Sequence, residues 1–347
     1  MWYNGNMKAK IVSFVIAEVP KLKKGEAAEF KYTQSAPHYF QVSVPAQFIL
    51  GEEKREILGK EVIFALKAYK PDVLLVEAKV NEIEDIFSQD AFNLREALID
   101  GCHEIIKKHG GKFEGSEEYS LACVSEYKGD PDQFFNKKAQ IASFLKSEKE
   151  LLDEKEIEYT LSSQIKYSKD DLVILDWDGA FIFDPDGNFD AIIELFQLAN
   201  LQLLRYRILG VDVDDRMDKI SKLVRQKPIT RFGFLKRGEI TQSLREAITI
   251  RTQSVTEFEK LEREIKLIGD WYFARLYEVI TKKFRMDEWK KSVKEKLDSL
   301  EDIYGVVSEN FSMSRSQMLE FIQIIAFFIL QIGWFALIIL EFFYFTR

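Results

Sequence analysis

Proline is scarce in this chain, cysteine and histidine are scarcer, and no segment is of low complexity. Seven prolines in 347 residues, with no Pro-rich tract, exclude a chain dominated by disorder. Two cysteines, Cys102 and Cys123, exclude a small disulfide-framed fold and are expected as buried, reduced thiols. The three histidines, His38, His103 and His109, make no metal motif, since His103 and His109 fall on opposite faces of an expected helix. A phosphate-binding Gly-rich loop, a Gly-x-Ser-x-Gly elbow and a His-Glu-x-x-His zinc site are all missing. No cofactor and no metal is expected. An excess of basic charge is missing too. A formal net charge of −8 argues against broad binding to nucleic acid, which needs Lys and Arg to displace phosphate counterions. The opening residues lack the unbroken apolar core of a secretory signal, because Glu18, Lys21, Lys23 and Lys24 intervene.

What the chain does have is a long uncharged run, Phe321 to Leu340. At about 1.5 Å per residue, such a helix covers roughly 30 Å, the hydrocarbon thickness of a bilayer. Phe321, Ile325, Phe328, Gly333, Trp334 and Leu340 are the expected anchor to membrane lipid. Lys290, Lys291, Lys294, Lys296 and Arg315 precede the run and only Arg347 follows it. That bias places the preceding domain in the cytoplasm, held by its tail in a single-pass arrangement. Gln323 and Gln331 are amides inside the apolar run, and an amide in lipid prefers a partner. They suggest a homo-oligomer, with Leu300, Val307 and Phe311 as further contacts.

Upstream, residues 8–18 read as a strand and Val62–Tyr69 with Val73–Val80 as a hairpin around Lys70-Pro71-Asp72. A helix is predicted over Asp85–Lys108, stopped at Gly110-Gly111. Next come a strand over Tyr119–Tyr127, a helix over Asp132–Leu152 and a strand over Ile157–Tyr167. A hairpin over Leu172–Phe183 and a helix over Phe189–Leu209 complete the region. The order suggests an α+β fold with helices on one face of the sheet, a ferredoxin-like arrangement being one candidate. From Glu239, apolar residues recur at helical spacing, break at Lys282–Asp287, and resume from Trp289 as a near-heptad, coiled-coil-like stripe. The expected organisation is an α+β region at 1–209, with a split near 150, and a basic connector at 210–238. A long antiparallel helical hairpin follows at 239–319, its tip near Arg285 pointing away from the bilayer, and its second helix continues into one transmembrane helix at 320–345.

Candidate chemistry is thin. Asp176-Trp177-Asp178-Gly179 follows four apolar residues, as in the nucleophile motif of haloacid-dehalogenase-like phosphatases. There the first Asp attacks phosphorus and the second protonates the leaving group. Asp and Gly are equally the residues of a β-turn between two strands. If the turn is all there is, Asp176→Asn leaves folding unchanged. Asp184-Pro185-Asp186-Gly187-Asn188 places its glycine fourth, where a calcium loop needs it sixth, so the motif reads as a turn. The basic stretch Arg225, Lys227, Arg231, Lys236 and Arg237 suits an acidic partner, RNA or anionic lipid.

Phe232-Gly-Phe-Leu-Lys-Arg-Gly-Glu-Ile240, Asp270-Trp271-Tyr272, Leu276-Tyr277-Glu278 and Leu319-Glu320-Phe321 precede or enter the apolar run. With the hairpin Ile174–Phe183, this pattern resembles the YagE-like family of required-for-meiotic-nuclear-division proteins. The resemblance implies a membrane-anchored, oligomeric protein with no established catalytic residues. Magnesium channels of the CorA type also have a long stalk helix, but need two spans and a Gly-Met-Asn loop. The expected function is a tail-anchored scaffold or tether that displays a domain to a protein partner. The rivals are a membrane-bound, metal-dependent phosphohydrolase using Asp176 and Asp178, and an ion-transport-related stalk.

Overall fold

The computed structural model describes residues 7–19, 47–69, 72–226 and 271–345, with scattered positions between 249 and 259. Two compact units divide the chain, one of Met1–Ile208 with Glu259–Lys291, the other of Leu209–Phe258 with Ser292–Arg347. The strands are β1 (Lys8–Glu18), β2 (Gln47–Ile57), β3 (Lys60–Tyr69), β4 (Val73–Val80), β5 (Ser116–Ser125), β6 (Gln164–Ile165), β7 (Leu172–Leu175) and β8 (Gly179–Phe183). The helices are α1 (Gln89–Lys108), α2 (Lys138–Lys146), α3 (Glu154–Leu161), α4 (Asp190–Gln226), α5 (Trp271–Lys283) and α6 (Met286–Phe345).

Among the described residues, all strands belong to the first unit and form one sheet of eight, in the order β2-β3-β4-β1-β5-β8-β7-β6. Neighbours pair antiparallel except β5 and β8, which run parallel from Ser120↔Gly179 to Val124↔Phe183. This corrects two expectations. The sheet is too wide and differently ordered for a ferredoxin-like arrangement. The β5–β8 pairing also joins residues from both sides of position 150, so no subdomain boundary falls there.

The middle strand β1 shows why the sheet is covered on both faces. Ile11 through Ala17 are all buried, with no polar alternation except Ser13, whose hydroxyl is 2.8 Å from that of Ser120. A strand buried on both sides reads as a near-continuous apolar run. On one face, Ile11, Val15, Leu74, Val76, Ala122 and Phe181 share a core with Leu98, Cys102 and Ile105 of α1 and with Ile141 and Phe144 of α2. On the other, Tyr119 stacks on Phe196 of α4 at 5.1 Å and meets Phe284 at 5.6 Å. The one-faced packing expected from the element order is therefore replaced by helices on two sides.

Local signals explain most of the elements. Ser88 caps α1 by accepting the Ala91 amide, and the helix stops at Gly110, whose φ of +89° suits glycine. The expected helix over Asp132–Leu152 is a 3₁₀ turn, Pro131–Lys137, followed by the shorter α2. The expected strand over Ile157–Tyr167 is mostly α3. Its N-cap Asp153 accepts the Lys155 amide, and Ile157 and Leu161 bury one helical face. Only Gln164–Ile165 pairs as a strand.

In the second unit, the stripe on α6 is buried at Val293, Leu297 and Leu300. Lys296 donates to the Gly210 carbonyl at 3.2 Å and pairs with Asp214 on α4. Leu300 is thus packed within its own chain. Val307 and Phe311 lie on α6, their side chains outside the described residues. Among the described residues, one helix is long and apolar enough to cross a membrane: Leu319–Phe342, 24 residues of mean hydropathy 2.4 with none of its window buried. It contains Phe321, Gln323, Ile325, Phe328, Gln331, Gly333, Trp334 and Leu340.

Candidate functional site

The expected helical hairpin turns where the sequence pattern breaks. Helix α5 ends at Lys283 and α6 begins at Met286, with Arg285 at a φ of 50° between them. Most of the expected first arm, from Glu239 to Asp270, lies outside the described residues. The corner does not protrude. Phe284 is 1% exposed and Met286 5%, because the corner is seated on the turn between β7 and β8.

That turn is the tetrad Asp176-Trp177-Asp178-Gly179. The Asp176 amide donates to the Gly179 carbonyl at 2.9 Å and closes it. Beneath it, the Tyr119 hydroxyl lies 2.9 Å from the Asp176 carbonyl and 2.8 Å from that of Gly179. Burial pushes this phenol well above its ordinary pKa, so it remains a donor. Phe284 fills the hollow between Tyr119 and Trp177, the second ring centroid lying 5.9 Å away.

The Asp176 carboxylate is 5% exposed and sits between two cations. Lys283 Nζ is 3.1 Å from Oδ1, which also accepts the Trp177 amide at 2.7 Å. Lys146 Nζ, at the end of α2, is 3.7 Å from Oδ2 and 2.7 Å from Glu156 of α3. Burial works to lower the Lys146 pKa, but the hydrogen bond to Glu156 and the Asp176 charge outweigh it and leave it raised. Lys283 also lies over the Tyr159 ring at 4.8 Å. From the other side, buried Arg95 of α1 donates to the Asp178 carbonyl at 2.8 Å. Burial lifts the Asp178 carboxyl to about 6 against the opposing pull of Arg95.

This geometry does not favour the phosphohydrolase candidate. A nucleophilic carboxylate must present an oxygen to substrate. Asp176 faces two lysines and its own turn instead, and the chain doubles back at once into the antiparallel partner strand. Among the described residues, no group of three or more His, Cys, Asp or Glu could hold a metal ion. The Asp184 carboxylate is also spoken for, accepting the amides of Asp186 at 2.9 Å and Asn188 at 3.1 Å. Arg95, Tyr119, Lys146, Lys283 and Phe284 went unnoticed in the sequence. One of them was visible there: Arg95 is a charge on the apolar stripe of α1, among Ala91, Leu94, Leu98 and Cys102.

Gly179 is required by close approach. A Cβ there would stand 3.0 Å from the Ser120 carbonyl oxygen, 3.4 Å from that of Phe144 and 3.5 Å from the Leu145 Cα. All three are backbone atoms and cannot swing aside. Gly179→Ala is expected to destabilise by about 1–3 kcal/mol, read from urea denaturation; an unchanged midpoint would show that the turn can shift.

Comparison with known proteins assigns this sheet. A family model described as "Uncharacterized protein MJ0711, N-terminal domain" matches residues 13–190, from within β1 to the first residue of α4. The chain is also 30% identical over 271 residues to "Uncharacterized protein MJ0711" of Methanocaldococcus jannaschii, covering 78% of each protein. The chain belongs to the MJ0711 family. No solved structure matches it. Membership of the MJ0711 family overturns the resemblance to the YagE-like proteins. That resemblance drew on short motifs around a heptad helix entering an apolar run, a pattern shared by many such helices. The segment Phe232–Ile240 on which it leaned lies outside the described residues.

Proposed function

We propose that the chain is a membrane-tethered scaffold, with its sheet unit displayed on the cytoplasmic side to a protein partner. The observation that carries this reading is the Leu319–Phe342 helix, apolar over 24 residues and with none of its window buried among the described residues. The same helix, α6, begins at the clamped corner on the β7–β8 turn. Lys290, Lys291, Lys294 and Lys296 on its early turns favour the cytoplasmic orientation. Gln323 and Gln331, both exposed, are the groups through which copies associate in the bilayer. The basic stretch from Lys227 to Arg237 lies outside the described residues and adds nothing to the reading.

Fractionation tests it. The full chain should sediment with membranes, resist alkaline carbonate and be released by detergent, whereas a chain ending at Met318 should stay in the supernatant. Added protease should digest the sheet unit in inverted vesicles and spare it in right-side-out ones. A full chain that stays soluble without detergent would sink the proposal. Cross-linking of the Gln323→Leu, Gln331→Leu variant tests the association clause, which falls if oligomer yield is unchanged.

A further inference from the structure

A second feature of the first unit is unrelated to the clamp. Between the sheet and the first turns of α4 lies a cavity of about 210 Å³. Its apolar walls are Val12 of β1 and Ile193 of α4. Two residues of β4, Glu77 and Lys79, stand two positions apart and so share this face of the sheet.

Their bonding differs in a way that matters. Glu77 Oε2 accepts Lys67 Nζ at 2.9 Å and the Gln197 side-chain amide, while Oε1 carries no hydrogen bond among the described residues. Burial alone would push this carboxyl up. The charge of Lys67 and the hydrogen bonds from Lys67 and Gln197 outweigh it and hold the pKa below the ordinary value, so the group stays ionised. Lys79, half-buried, has no ion pair among the described residues. The cavity therefore holds an anion with a spare oxygen and a cation that, among the described residues, closes no ion pair.

A simple anion attracted to Lys79 would meet Glu77, and also Asp190 and Glu194, which line the same space. A simple cation attracted to Glu77 would meet Lys79 and Lys67. A molecule carrying both charges satisfies both ends. Size narrows the class further. The space lies below the ~300 Å³ of the smallest drug-sized pockets. That size suits one small zwitterion.

We propose that this cavity binds a free α-amino acid, its ammonium on Glu77, its carboxylate on Lys79 and its aliphatic part against Val12 and Ile193. The test is calorimetric titration of the full chain in detergent with each of the twenty common α-amino acids. At least one should bind with a Kd near or below about 1 mM. Its N-acetyl and carboxamide derivatives should each bind about tenfold more weakly or worse, since each removes one charge-assisted contact. Lys79→Met should weaken binding by a similar factor with an unchanged circular dichroism spectrum, because Lys79 has no ion pair to lose. Three outcomes would overturn the proposal: no heat with any amino acid at about 10 mM, blocked derivatives that bind as well as the parent, or undiminished binding by Lys79→Met.

Discussion

Phe284→Ala is expected to lower stability by about 3–5 kcal/mol, the cost of emptying a site filled by a large aromatic ring. Phe284 is 1% exposed and lies between Tyr119 and Trp177. Its neighbours cannot close the gap easily. Tyr119 is held by the two turn carbonyls and Trp177 by the turn itself. The measurement is chemical denaturation of the detergent-solubilised chain, followed by circular dichroism. Phe284→Leu keeps most of the volume and should cost less than half as much. A loss below about 1 kcal/mol for Phe284→Ala would mean that the corner is not seated as described.

Asp176→Asn is the second large effect, and here the structure reverses the expectation drawn from the turn alone. Removing this charge leaves Lys283, 13% exposed, facing an uncharged group, and leaves Lys146, 27% exposed, with Glu156 alone. Breaking a buried ion pair in this one-sided way costs about 3–5 kcal/mol. Lys283→Met should cost less, because Asp176 keeps Lys146 beside it. The double variant Asp176→Asn, Lys283→Met should recover much of the loss, since neither group is then left as an unpaired buried charge. Additive losses in the double variant would show that Asp176 and Lys283 do not interact.

These two residues also mark the limit of sequence reading for this chain. The turn at Asp176–Gly179 was evident, because Asp and Gly between two apolar runs carry their own local reason. The burial of Asp176 was not, because it depends on Lys283 and Phe284, which arrive from a distant helix corner. The break in helical spacing at Lys282–Asp287 located that corner correctly but said nothing of where it lands. β1 was found at its observed bounds, since its apolar run records its central place. β2 was missed for the opposite reason: its mostly exposed residues show no apolar alternation. α3 reads as a strand in sequence because Ile157, Tyr159 and Thr160 favour one, although Asp153 supplies a helix cap.

The overlooked β2 has a further consequence. Proteins confined to a surface collide far more often than the same number free in solution, and an open ladder of backbone groups invites them to polymerise. Among the described residues β2 is the outermost strand on its side of the sheet, with Glu52, Glu53, Lys54, Arg55 and Glu56 in a row, and its register shifts between Ile49 and Gly51. Adding a strand there would strip water from a line of charges and follow a bent template. Crowding would therefore not turn neighbouring copies into a fibril.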